Sequence, residues 1–275
     1  MTTLLTPVVF AVLLWWTATG IILLLNRRAP RSFPSSLAAA SLLLAAAMYG
    51  LWDSRSDDSA TGAYVSFTSA LLVWGWLEMS FLMGFVTGPR RIAMPEHAPG
   101  QRRFRFAVQA ILYHELSLLA AGGLLCVLTL DGSNRIGIWT FTLLWVMRLS
   151  AKLNLFLGVR NLGLDYLPDH MRYLGSYFRQ RPMNPLFPLS LVGATGVTLA
   201  LAVLASAADG SDGAAIGYTL LATLSGLAAL EHAFLVLPLR SERLWQWSLA
   251  TDPGPSTEAA RISPPAQVAH GEAAP

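Results

Sequence analysis

Seven apolar runs, each about 18–27 residues long, follow one another along this chain, and each could cross about 30 Å of hydrocarbon as an α-helix. In lipid every backbone N–H and C=O must find its partner inside the protein, so the runs are restricted to membrane helices. They cover residues 4–25, 35–52, 61–86, 104–130, 136–157, 185–207 and 214–238. Hydrophobic residues make up 54% of the chain and charged ones 13%, which excludes both a disordered chain and an ordinary soluble domain. The expected fold is therefore all-α, a polytopic bundle of seven transmembrane helices within residues 1–250. From Thr251 the composition turns to Pro, Ala, Gly, Ser and Glu without apolar periodicity, so 251–275 reads as a disordered tail.

The loops alternate in charge. Arg27, Arg28 and Arg31, then Arg90, Arg91, Arg102 and Arg103, then Arg160, Arg172, Arg179 and Arg181, then Arg240 and Arg243 all fall on one side. The other side has Asp53 to Asp58, Asp131 to Arg135 and Asp209 to Asp212. The positive-inside rule then puts the N-terminus in the periplasm and the C-terminus in the cytoplasm. Topology already accounts for the net charge of +3, so nucleic acid is not an expected partner and lipid is. After the first run comes Asn26-Arg27-Arg28 rather than a small-residue cleavage site, so that run is expected to stay as a span. Cys126 is the only cysteine, which leaves no intrachain disulfide or thiolate metal cluster.

In the longest basic loop, Pro168 opens a segment with Met171, Leu174, Tyr177 and Phe178 on one face, expected as a short interfacial helix near 168–179. Asn184-Pro185 has the cap-then-proline order of a helix start. Small residues such as Gly122, Gly123, Gly193 and Gly196 suggest close helix approach. Trp15, Trp16, Trp74 and Trp76 suggest packing before stacking on a flat ligand, and His97 and His170 read as solvated loop residues.

Glu78, His114, Glu115, Arg148, Lys152, Glu231 and His232 interrupt the apolar runs, where a charge costs a few kcal/mol or more unless paired or wetted. Counted from the arginine-rich ends of their helices at about 1.5 Å per residue, all seven fall in one slab. Arg148 and Lys152, four apart, share a face of the fifth span, and Asn154 lies on another. Three readings compete. One is a structural ion-pair cluster. Another is a ligand pocket, with a histidine on the metal of a chlorin or haem, or charges clamping a polar substrate. The last is a carboxylate–histidine metal site, for which His114, His232 and Glu78 are the candidates. Against it, His114-Glu115 and Glu231-His232 are adjacent pairs pointing about 100° apart, not the Glu-x-x-His of di-iron bundles.

Leu51-Trp-Asp-Ser, Thr61-Gly-Ala-Tyr-Val-Ser-Phe, Trp74-Gly-Trp-Leu-Glu78, His114-Glu115, Lys152-Leu-Asn-Leu-Phe-Leu-Gly-Val-Arg-Asn161 and Leu167-Pro-Asp-His-Met-Arg-Tyr-Leu-Gly-Ser-Tyr-Phe form a set of strings running through the chain. In these strings it resembles the PuhE family, photosynthetic complex assembly proteins of purple phototrophic bacteria. The resemblance implies a multi-pass protein of the bacterial inner (cytoplasmic or intracytoplasmic) membrane. It also implies reaction-centre or light-harvesting subunits and other assembly proteins as partners, and a link to bacteriochlorophyll supply. It supplies no site residues. The expected function is then an assembly factor, not an enzyme, binding bacteriochlorophyll or another tetrapyrrole in an intramembrane pocket. Its ligand-binding candidates are His114, Glu115, Glu78, Glu231, His232, Arg148, Lys152 and Asn154. The alternatives are a metal-dependent membrane oxidoreductase acting on a pigment precursor and a ligand-free assembly scaffold.

Overall fold

The computed structural model describes residues 2–208, 213–238 and 244–249, and the tail expected over 251–275 lies outside them, as do Asp209 to Asp212, Arg240 and Arg243. Among the described residues seven helices are long and apolar enough to cross a membrane. They are α1 (Thr2–Asn26), α2 (Phe33–Asp53), α3 (Ala60–Leu82), α4 (Gly100–Leu128), α5 (Ile136–Leu157), α6 (Leu186–Ala207) and α7 (Gly213–Phe234). Among the described residues there is no strand, only one isolated parallel bridge between Val159 and Gln180.

Two helices form the centre. In the most apolar stretch of α3 61% of residues are buried and in that of α7 50%, against 11–17% for the other five. Around α3 stand α1, α2, α4, α5 and α7, and α7 also packs against α1, α5 and α6. Polarity follows position: the buried faces carry Ser66, Ser80, Thr219 and Ser225, small hydroxyls that bond within the protein and let neighbours approach. The outer faces of α4 and α6 expose Leu116, Leu119, Val127, Leu189, Val192 and Val203.

The two ends of the bundle differ. At one, tight turns are knitted by side chains. Ser59 Oγ accepts from Gly62 N and starts α3, and Asn134 donates from Nδ2 to Ser54 O and Asp57 O while accepting from Ile136 N. At the arginine-rich end the connections are longer and folded. Pro168 precedes a 3₁₀ helix, Asp169–Tyr177, and the Met171, Leu174, Tyr177 spacing matches its three residues per turn. These three side chains are buried against Phe81, Leu82 and Ala110 of α3 and α4. Arg103 is tied there too, donating to Phe156 O at 3.1 Å and Tyr177 O at 2.6 Å.

Several expectations change in detail. The third span was expected to run to Val86, but it stops at Leu82 because Gly84, at φ +82, closes it. Phe85 N reaches Ser80 O and Gly84 N reaches Phe81 O, a Schellman ending that only a residue tolerant of positive φ completes cheaply. Asn184 does start α6, its Oδ1 accepting from Leu186 N and Phe187 N. The glycine reading fails at Gly123, Gly193 and Gly196, where an added Cβ would meet nothing within 4 Å. They face outward, and the close approaches are elsewhere, at Gly137 against Leu51 and Ser66 and at Gly213 against the backbone of Asp58 and Ser59. His170 is not simply solvated: its Nε2 lies 2.9 Å from Leu82 O at the end of α3.

Candidate functional site

Three helices bring five ionisable groups together. Glu78 on α3 holds Arg148 of α5 at 3.0 Å through Oε2, and its Oε1 lies 3.7 Å from His114 Nε2 on α4. One residue on, Glu115 takes Lys152 Nζ at 2.7 Å and faces Trp145 Nε1 at 3.5 Å. The i, i+4 spacing of Arg148 and Lys152 thus serves two carboxylates on two helices. Each pair offsets part of the cost of a charge at this depth.

His114 is the anomaly within this group. The residue has no exposure, its ring lies 4.4 Å from that of Phe81, and neither nitrogen has a hydrogen-bond partner. Glu78 Oε1, the atom facing it, is also buried and unpartnered. A buried polar group left unpaired costs about 1–3 kcal/mol. A proton on Nε2 would face Glu78 directly.

Arg148 is the most accessible member of the cluster. At about 100° per residue it lies within about 20° of Gly137 and Phe141, both buried, and about 160–180° from Trp139, Val146 and Leu157, which are exposed. Its side chain nevertheless keeps 44% of its surface accessible. Glu231 repeats the pattern on α7: it is exposed, yet it lies within about 20° of the buried Gly213, Leu220 and Leu224. Glu231 interacts electrostatically with Arg148 and Glu78. We take these accessible charges, on the inner faces of two helices and in range of one another, as the lining of a polar recess among α1, α3, α5 and α7. It can offer the free N–H groups of Arg148 to an oxygen, or a carboxylate to a cation or proton.

His232 and Asn154 stand apart from this cluster. His232 Nδ1 lies 2.9 Å from Ala228 O and Nε2 lies 3.0 Å from Ser150 Oγ, so both nitrogens are engaged. Ser150 donates to Ser190 Oγ at 2.9 Å, and Asn154 donates to the same oxygen at 3.0 Å and accepts from Asn184 Nδ2 at 3.0 Å. This is a hydrogen-bonded seam joining α5, α6 and α7. The single slab expected from sequence therefore divides in two, because residues 231 and 232 point to different neighbours. Ser150, Ser190 and Asn184 were not picked out as part of it; hydroxyls in a span cost little and give no hydropathy signal.

A metal site finds no support in geometry among the described residues, where no three His, Cys, Asp or Glu side chains converge. Axial ligation of a tetrapyrrole fits no better, with His114 sealed and His232 bonded through both nitrogens. The tryptophans pack: Trp74 stands edge-on to Phe141, Trp15 edge-on to Trp245, and Trp76 donates to Ser41 Oγ.

A family model described as "Protein of unknown function (DUF3623)" matches residues 1–256. A protein of Rhodobacter capsulatus, described as "Uncharacterized 30.4 kDa protein in puhA 5'region", is 40% identical over 257 residues, 92% of this chain and 93% of that protein. No solved structure matches.

Proposed function

This chain belongs to the DUF3623 family, and on that premise we propose that it is a PuhE-type assembly factor for photosynthetic complexes in the bacterial inner membrane. Three supports converge: the strings shared with PuhE proteins, seven spans, and a 40% identical relative whose description places it in the puhA 5' region. The alternation of loop charge supports N-terminus out and C-terminus in.

The observation that carries the ligand reading is Arg148, accessible while paired to Glu78 and set on the inner face of α5. Guanidinium has five N–H donors, and those not on Glu78 are available to an oxygen acceptor. In this proposal the recess receives a pigment or pigment intermediate through its peripheral carbonyl or carboxyl oxygens at Arg148. Glu231 and Trp15 bound the other side, and no histidine need ligate the metal. A ligand-free scaffold is the second reading, favoured by how fully Glu115 and Lys152 satisfy each other.

Absorption of protein purified in mild detergent from pigment-producing cells tests it. The expected result is a bound pigment band that Arg148→Gln removes and His232→Ala keeps. No band in the wild-type protein, or a band indifferent to Arg148→Gln, overturns the ligand reading. Undiminished reaction-centre and light-harvesting absorbance in cells lacking this gene overturns the assembly role.

A further inference from the structure

At the arginine-rich end a cavity of ≈ 510 Å³ is lined by Arg160, Gln180, Arg181, Pro182 and Val236. Its frame is held by backbone. Val159 N donates to Arg179 O and Arg181 N to Val159 O, while Asn161 Nδ2 donates to Phe234 O and Leu237 O, fastening the loop to the end of α7. Gly158, at φ +126, has no Cβ to displace Arg181, whose Cδ lies 2.7 Å from where one would stand.

Among the described residues no carboxylate lines the cavity, and no ion pair or side-chain hydrogen bond holds the guanidinium of Arg160 or Arg181. Arg103 behind them interacts electrostatically with Arg179 and Arg181, which adds to the positive field. Beside the lining residues, Met183 and Leu237 are exposed and apolar. Two free guanidinium groups at the end of the spans, with apolar neighbours, match a phosphodiester attached to acyl chains.

We propose that this cavity is a binding site for the phosphate of an anionic phospholipid, with Arg160 and Arg181 as its ligands. The lipid's tails run past Met183 and Leu237, and the phosphate offsets the repulsion among the arginines. The site is separate from the recess at Arg148 and does not depend on that reading.

Delipidated full-length protein is mixed with micelles holding phosphatidylglycerol and phosphatidylcholine, and bound lipid is measured by native mass spectrometry. Phosphatidylglycerol is expected to bind in preference. The Arg160→Gln/Arg181→Gln variant should bind it about thirtyfold more weakly, as two surface cations at about 1 kcal/mol each imply. Val236→Trp, which fills the cavity, should do the same without changing charge, and Arg91→Gln/Arg102→Gln should leave binding intact. Equal loss in that control, or no loss in the first two variants, overturns the proposal. So does displacement of the lipid by millimolar inorganic phosphate, since the site would then be one for free phosphate.

Discussion

Glu78→Gln leaves the Arg148 guanidinium without its carboxylate at a depth where an unpaired charge is costly. Because Arg148 keeps part of its surface accessible, the penalty is below that of a sealed pair, and we expect about 1–3 kcal/mol. Thermal unfolding in detergent reads this as a lowered midpoint. Replacing both partners, Glu78→Leu with Arg148→Leu, should recover most of it, because the desolvation cost disappears with the pair. An unchanged midpoint in the single variant would show the pair to be structurally idle. The same reasoning separates the two histidines. His232 has a partner at each nitrogen and behaves as packing, while His114 has none and keeps its chemistry unspent.

At the scale of helices, much was legible and some was not. Span number and most boundaries followed from the long apolar runs, since backbone satisfaction in lipid leaves no other local choice. The end of α3 was missed because the apolar run continues through Phe85 and Val86 while Gly84 turns the chain. That Arg148 would meet Glu78 and Lys152 would meet Glu115 was not in the spacing; it depends on which helices become neighbours and how they rotate. Glycine misled for the same reason. Gly213→Ala would put a methyl 2.1 Å from Asp58 O, backbone that cannot swing away, and should cost about 1–3 kcal/mol. Gly196→Ala meets open space and should be neutral or gain up to about 1 kcal/mol in helix propensity. Paired detergent melts check both, and equal effects would refute the assigned contacts.

For the molecule as a whole, orientation is the property on which localisation of both proposed sites rests. With Cys126, the sole cysteine, changed to Ser, single cysteines can be introduced at Arg102 and at Asp131. A membrane-impermeant maleimide should label Asp131→Cys in intact spheroplasts and Arg102→Cys only after permeabilisation. The opposite pattern would invert the topology and move the phospholipid site to the outer leaflet.

The burial of α7 bears on the order in which the molecule can be completed. As the last of the described spans to be made, it must still find its place against α1, α3, α5 and α6. Until translation reaches it, the earlier spans surround a vacancy that lipid or a neighbouring membrane chaperone has to fill, and the recess at Arg148 has no fourth wall. Nascent chains halted before residue 213 should therefore be open to protease where the finished protein is not.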